Sequence, residues 1–251
     1  MNTKRTGITF AIATLFLSTS ALATVVVDGV FDRNGEWLNA HTSEDFVRAD
    51  GYLGPGWGGQ AYDVEHIGTT FDSSALYFGI QAGYNFANPP SDLWLPGDFA
   101  LNVDNDAYYE YAIDFSITGT AVTYTLIDMT AAGSSWQTPY YTDAGPWSAA
   151  YTTTLATWTH DFAFGSGLWS ENHRPGEDGT SYVLEGILDM SLLELYTGGD
   201  ITLHWTMGCG NDVLEHTAAP VPEPATMLLF GTGLIGLASL SRRRKNKKRE
   251  S

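Results

Sequence analysis

Apolar residues in this chain come in short runs broken by Gly, Asn, Asp and Pro, and no long stretch keeps a helical period. Tyr109, Tyr111, Ile113 and Phe115 alternate with Glu110, Ala112, Asp114 and Ser116, which predicts a strand over 108–117 with one apolar face. Ala121 to Ile127 alternates too and is expected to return beside it after a turn at Gly119. Phe99 to Val103 leads into that pair through Asp104-Asn105-Asp106, a hairpin-like connection. Ala61 to Ile67 and Ala75 to Ile80 read as strands flanking 70–74, and the near-continuous second run suits the middle of a sheet. Thr24 to Val27 is a β-branched opening ended by the turn dipeptide Asp28-Gly29. Ser181 to Leu188 and Ile201 to Met207 read as strands, with a short helical turn at Met190 to Glu194 between them. His204 to Asp212 reads as the last strand and the turn after it. Ala131 to Asn172 has weak periodicity and is expected to form long loops decorated with edge strands. Eight or so short strands in under 200 residues predict an all-β fold, an antiparallel β-sandwich or jelly roll.

The two ends differ in kind from this body. Residues 1–23 carry Lys4 and Arg5, then an apolar run from Ile8 to Leu17, then Ala21-Leu22-Ala23. A basic start, about ten apolar residues and a small-x-small exit make a secretory signal peptide, with cleavage expected between Ala23 and Thr24. At the other end Val221-Pro222-Glu223-Pro224 precedes an apolar stretch, residues 225–240, expected to be helical. A basic tail over 242–251 follows. The β-sandwich is therefore assigned to 24–218 and the terminal signal to 220–244. Prolines 222 and 224 favour an extended chain. The apolar stretch is shorter than the roughly 20 residues that span a bilayer comfortably, and the arginines fix its cytoplasmic side.

Removing the ends changes the charge. The body holds three arginines, no lysine and 27 acidic residues, a net charge of −24 against −17 for the whole chain. Such a surface excludes nucleic acid as a partner, because phosphate backbones need cationic side chains. It suits divalent cations, neutral sugars or plain solubility. All eight tryptophans lie in the body, which separates it from an acidic disordered segment. Cys209 is the only cysteine, so no intramolecular disulfide forms.

Ca²⁺ is the cofactor this composition favours, since it takes six to eight oxygens from carboxylates and carbonyls in tight turns. Asp104, Asn105 and Asp106 put three oxygen-bearing side chains in one turn, and Asp28 and Asp32, near Glu36, form a second cluster. The same residue types also simply favour turns. Trp57, Trp94, Trp147 and Trp169 fall in loop-like contexts, where flat aromatic faces stack on sugar rings or cap the end of a sandwich. Trp37 and Trp205 sit in strand-like contexts and are expected in the core. No Gly-x-Ser-x-Gly elbow, His-Glu-x-x-His or phosphate loop occurs, and the histidines are scattered, so a non-catalytic protein is expected. With 27 carboxylates, no acidic pair singles itself out for glycoside hydrolysis.

The Pro222-Glu223-Pro224 motif, the apolar stretch and the arginine cluster, in that order, resemble the PEP-CTERM sorting signal of bacterial exported proteins. The resemblance implies processing by an exosortase in a Gram-negative bacterium. It also implies transient membrane insertion through the C-terminal helix, delivery to the surface or the extracellular matrix, and an association with exopolysaccharide and biofilm matrix. Asp28-Gly29 with Trp37, Tyr62-Asp63-Val64-Glu65, Leu76 to Ile80 and Gly97 to Leu101 resemble the DOMON-like superfamily, including family 9 carbohydrate-binding modules. That resemblance implies a β-sandwich of a kind that binds sugars or haem, or holds a structural Ca²⁺. The functional expectation is an exported module interacting with extracellular polysaccharide. The alternatives are an acidic structural matrix protein without a specific ligand and a glycan-active hydrolase.

Overall fold

The strands pair into two antiparallel sheets whose apolar faces meet. The computed structural model describes residues 25–37, 41–42, 59–169 and 179–221. The first sheet has the order β1 (His41–Thr42), β2 (Val64–Phe71), β3 (Ala75–Ala82), β11 (Thr180–Asp189) and β10 (Phe164–Trp169). The second has the order β13 (Val213–Ala218), β12 (Ile201–Thr206), β4 (Phe99–Asn102), β5 (Tyr111–Thr118), β6 (Ala121–Asp128) and β9 (Thr154–His160). A separate hairpin, β7 (Ser135–Gln137) with β8 (Ser148–Ala150), lies outside both. The fold is all-β and antiparallel, as the alternation predicts.

Residues of one parity on each strand turn inward. Leu76, Phe78 and Ile80 of β3 meet Phe99 and Leu101 of β4, Ile113 of β5, Tyr124 of β6 and Trp205 of β12, all fully buried. Phe78 lies edge-on to both Phe99 and Tyr124, with ring centroids 5.2 Å apart in each case. Trp205 donates its indole N–H to the Gly97 carbonyl at 2.8 Å, so its one polar atom is satisfied in the core. β3 sits in the middle of its sheet, paired with β2 and β11, and both its faces are covered. On the outer side the segment 25–37 packs Val25, Phe31 and Trp37 against Val183 and Tyr77 as a second, small core. Gly79 permits that approach: a Cβ there would lie 2.9 Å from the Trp37 ring.

Several boundaries move. Gln60–Tyr62 forms a 3-10 turn and β2 begins only at Val64. β5 begins at Tyr111, which leaves Tyr109 and Glu110 in the preceding connection. Trp37 is buried as expected, but it closes a turn instead of sitting in a strand, and Val25 to Val27 has no regular pairing. Cys209 to Asp212 is not the end of the fold, because β13 follows and pairs with β12 over its whole length. The alternation of Val213 to Ala218 carries that strand in the sequence. The turn at Gly119 (φ 66°), the β5–β6 hairpin and the short helical turn Met190–Leu192 all form. β9 and β10 are the edge strands expected within 131–172.

Candidate functional site

Three places on this scaffold gather the residues that sequence patterning marks. The first is the Asp28-Gly29 turn. Gly29 adopts φ 77° and lies against β10, where a Cβ would come within 2.9 Å of the Gly165 nitrogen. Glu185, fully buried in β11, accepts the Asp28 N–H at 3.1 Å, the Gly29 N–H at 2.9 Å and the Trp37 indole N–H at 2.8 Å. Burial pushes the Glu185 carboxyl up to about 7, against the pull of those three donors. Asp28 and Asp32 are taken up locally, accepting the N–H groups of Val30 at 3.0 Å and Asn34 at 3.0 Å. Glu36 accepts the Val26 N–H at 2.6 Å; burial raises its pKa, with the charges of Asp28 and Asp32 adding to the rise. Sequence reading singled out Asp28 and Asp32 and missed Glu185, the residue that organises them from more than 150 positions away.

The second is the β4–β5 connection. Asp104 accepts the Asp106 N–H at 3.2 Å and Asp106 accepts the Tyr108 N–H at 2.6 Å. Asn105 stands at φ 67°, a conformation its short side chain tolerates, and donates its N–H to Asn102 Oδ1 at 2.8 Å. These bonds fold the loop back so that Glu110, buried at its far end, accepts the Val103 N–H at 2.8 Å. Asp104, Asp106 and Glu110 then each offer a carboxylate oxygen within 4.8 Å of the others. Among the described residues this is the one group of three acidic, His or Cys ligand atoms so arranged. Burial raises the Glu110 carboxyl, and the charges of Asp104 and Asp106 raise it further. Asp104 and Asp106 were singled out by pattern. Glu110 was read only as the polar partner in an alternating strand, and it joins them because β5 begins at Tyr111, just after it. Asp28 and Asp32 belong to no such group.

The third is the end of the sandwich where three loops meet. Gly208 donates its N–H to the Leu95 carbonyl, and Tyr140 donates its N–H to the Gly208 carbonyl, both at 2.9 Å. Trp94 packs edge-on to Tyr140 with centroids 5.7 Å apart, and its inner side rests on the core. Trp147 donates its indole N–H to the Pro96 carbonyl at 3.3 Å, with its ring close under Gly208. Leu93 (77 % exposed), Leu95 and Tyr140 (68 % exposed) rim these rings. Sequence reading named Trp94 and Trp147, which the fold does bring together, as a half-buried floor. Tyr140, the most exposed ring of the group, was missed. Trp57 lies outside the described residues. Trp169 falls in β10, paired with Thr180, so it stands in a strand and not in a loop; its side chain lies outside the described residues.

The polar interior also holds Asp98 and two buried histidines. Asp98 accepts the Ala149 N–H at 2.6 Å and the Ser148 hydroxyl at 3.2 Å, which ties β8 to the sheet. Burial holds the Asp98 carboxyl well above the usual range, helped by the neighbouring Asp114 charge. His66 stacks on Phe31 and meets the Arg33 guanidinium at 3.2 Å; burial and that charge push it down to about 3. His204 lies between Glu215, at 3.2 Å, and the Pro146 carbonyl, at 3.0 Å.

Residues 220–245 match the PEP-CTERM protein-sorting motif. No curated protein and no solved structure matches the chain. The motif supports an exported protein sorted by an exosortase of a Gram-negative bacterium. Ala23, Thr24, Pro222, Glu223, Pro224 and the apolar stretch 225–240 lie outside the described residues, and among the described residues no helix is long and apolar enough to cross a membrane.

Proposed function

We propose that the chain is a non-catalytic, DOMON-like β-sandwich that is exported and sorted to the cell surface or matrix. There it contacts extracellular polysaccharide, with Ca²⁺ held in the β4–β5 loop. The observation that carries this reading is the loop end where exposed Leu93, Leu95 and Tyr140 rim the half-buried Trp94, an apolar and aromatic surface on a body of net charge −24. Sugar rings present apolar C–H faces that stack on such groups, and the neutral hydroxyls suffer no repulsion from the acidic surroundings. Asp104, Asp106 and Glu110 supply hard oxygen ligands, with carbonyls and water left to complete the shell Ca²⁺ requires. The Asp28-Gly29 turn, pinned with Trp37 on Glu185, supports the DOMON-like reading of the N-terminal motif.

A glycan array probed with the protein, with and without EDTA, tests both halves. Binding to one class of polysaccharide, weakened by Tyr140→Ala, is the expected result. Absence of binding to every polysaccharide would defeat the ligand reading and leave the acidic structural protein in its place. That second reading draws on the body's complete lack of lysine: 27 acidic residues face three arginines, a surplus of negative charge that divalent ions can cross-link.

A further inference from the structure

The last hydrogen bond of the sandwich lies immediately before the sorting motif. β13 ends at Ala218, and Val221 still donates its N–H to the Phe71 carbonyl at 3.0 Å. Only Pro222, Glu223 and Pro224 separate Val221 from the apolar stretch that begins at Ala225. Four extended steps span at most about 14 Å. Crossing one headgroup layer uses roughly 5–7 Å of that, given a bilayer of about 40–45 Å around a 30 Å core. A domain of this length has a radius of gyration of roughly 16 Å. With the apolar stretch inserted, so short a connection holds one end of the sandwich against the headgroups.

The chain exit fixes which end that is. Phe71 leads into the 72–74 turn, and Met190 donates its N–H to the Ser74 carbonyl. Ile201 pairs with Ala218, and Thr202 with Asn102, so the 193–200 loop and the start of the β4–β5 connection lie at the same end. We propose that this end, formed by 72–74, 193–200 and the Asp104–Asp106 turn, is the membrane-facing surface of the tail-bearing precursor, held within about 7–9 Å of the lipid headgroups. The proposal rests on the reading of 220–245 as a sorting tail that inserts.

Two consequences follow from the residues involved. Asp72, Glu194 and Asp200 all lie at this end, joined by Asp104 and Asp106 when their loop holds no cation, so anionic headgroups repel it and the covalent tether alone keeps it there. Cutting the tail therefore frees the domain into solution instead of leaving it adsorbed. The aromatic rim at Leu93, Leu95 and Tyr140 lies at the opposite end, beyond Thr206, the far terminus of β12, and so points away from the membrane.

The test uses the full-length chain inserted in vesicles of phosphatidylethanolamine and phosphatidylglycerol that carry a headgroup-linked quencher. Fluorescent labels are placed at Ser73→Cys and Thr197→Cys at the exit end and at Asp92→Cys at the far end. Cys209 is buried, and the unsubstituted chain measures its background. Quenching is expected to be severalfold stronger at 73 and 197 than at 92, and a long Gly/Ser spacer inserted between Val221 and Pro222 is expected to erase the difference. Equal quenching at all three positions in a precursor that resists alkaline extraction overturns the placement alone. A precursor that alkaline buffer extracts from the vesicles overturns the inserted-tail reading and the placement with it.

Discussion

Two acidic turns of this protein look alike in sequence and are used in opposite ways. At 28–36 the carboxylates of Asp28, Asp32 and Glu36 each accept a nearby backbone N–H, and the segment they shape is fastened to the sheet by one buried acid, Glu185. At 104–110 the carboxylates also accept backbone N–H groups, yet Asp104, Asp106 and Glu110 keep oxygens within 4.8 Å of one another. Clustered acid oxygens are costly without a cation, whereas oxygens spent on N–H donors are already compensated. An acidic turn is thus defined by where its second oxygens point.

The contrast can be broken most forcefully at Glu185. Glu185→Ala leaves the Asp28, Gly29 and Trp37 donors without their acceptor, and a loss of about 3 kcal/mol or more is expected in urea unfolding. A loss as small as that of a surface substitution would show that the N-terminal segment is not fastened by this residue.

The pH dependence comes next. Glu185 titrates in the folded protein at about 7, above the ordinary value of about 4 for an unfolded carboxyl. Between those values the folded state holds a proton the unfolded chain has released, so stability falls as pH rises across the window and is complete below it. Asp98, also raised by burial, acts with the same sign. Asp72 and Asp189, lowered by bonds from Ser74 and Ser191, act in the opposite direction only at more acidic pH. His66, pushed down to about 3, adds stability as pH rises to its ordinary value of about 6.5 and offsets part of the fall. The urea midpoint should therefore be higher near pH 5 than near pH 8, with Glu185→Gln and Asp98→Asn flattening the slope. Variants Glu185→Gln and Asp98→Asn that both keep the wild-type slope would contradict both assignments.

The β4–β5 loop offers a smaller effect that depends on concentration. A ligand at a hundred times its Kd adds about 2.7 kcal/mol, so Ca²⁺ should raise the melting temperature and EDTA should reverse the rise. Glu110→Gln and Asp104→Asn should each abolish the response, while Asp32→Asn should leave it intact. A response that survives Glu110→Gln would place the cation elsewhere. Smallest in stability is Tyr140→Ala, expected to change unfolding by no more than about 0.5 kcal/mol because the ring is mostly exposed. Its effect should appear instead in polysaccharide binding.

Much of the strand arrangement was legible because alternation is local. β3, β5, β6, β11 and β12 fall where apolar and polar residues change places every second position, or where an unbroken apolar run marks a strand covered on both faces. Legibility failed where a bond from a distant residue decided the outcome. Tyr109 and Glu110 continue the alternating pattern of β5, yet Glu110 turns back to Val103 and Tyr109 packs beside His204, so the strand starts after them. Trp147 carries a loop signature but is wedged under Gly208, while Tyr140, without any distinguishing neighbour in sequence, becomes the exposed ring.

The sequence by itself determined the protein's address and its class. A PEP-CTERM sorting motif over residues 220–245 is read as linear chain, and the period-two pattern with its turn residues specifies antiparallel sheets. Tertiary structure alone decided which acids become structural and which converge. Glu185 meets Asp28 across 157 positions, Asp98 meets Asp114 through the pairing of β4 with β5, and Gly208 joins the loops of Leu95 and Tyr140. The physical reason is that a carboxylate's role depends on its burial and on the donors around it, and both are set by sheet register and packing between residues far apart in the chain.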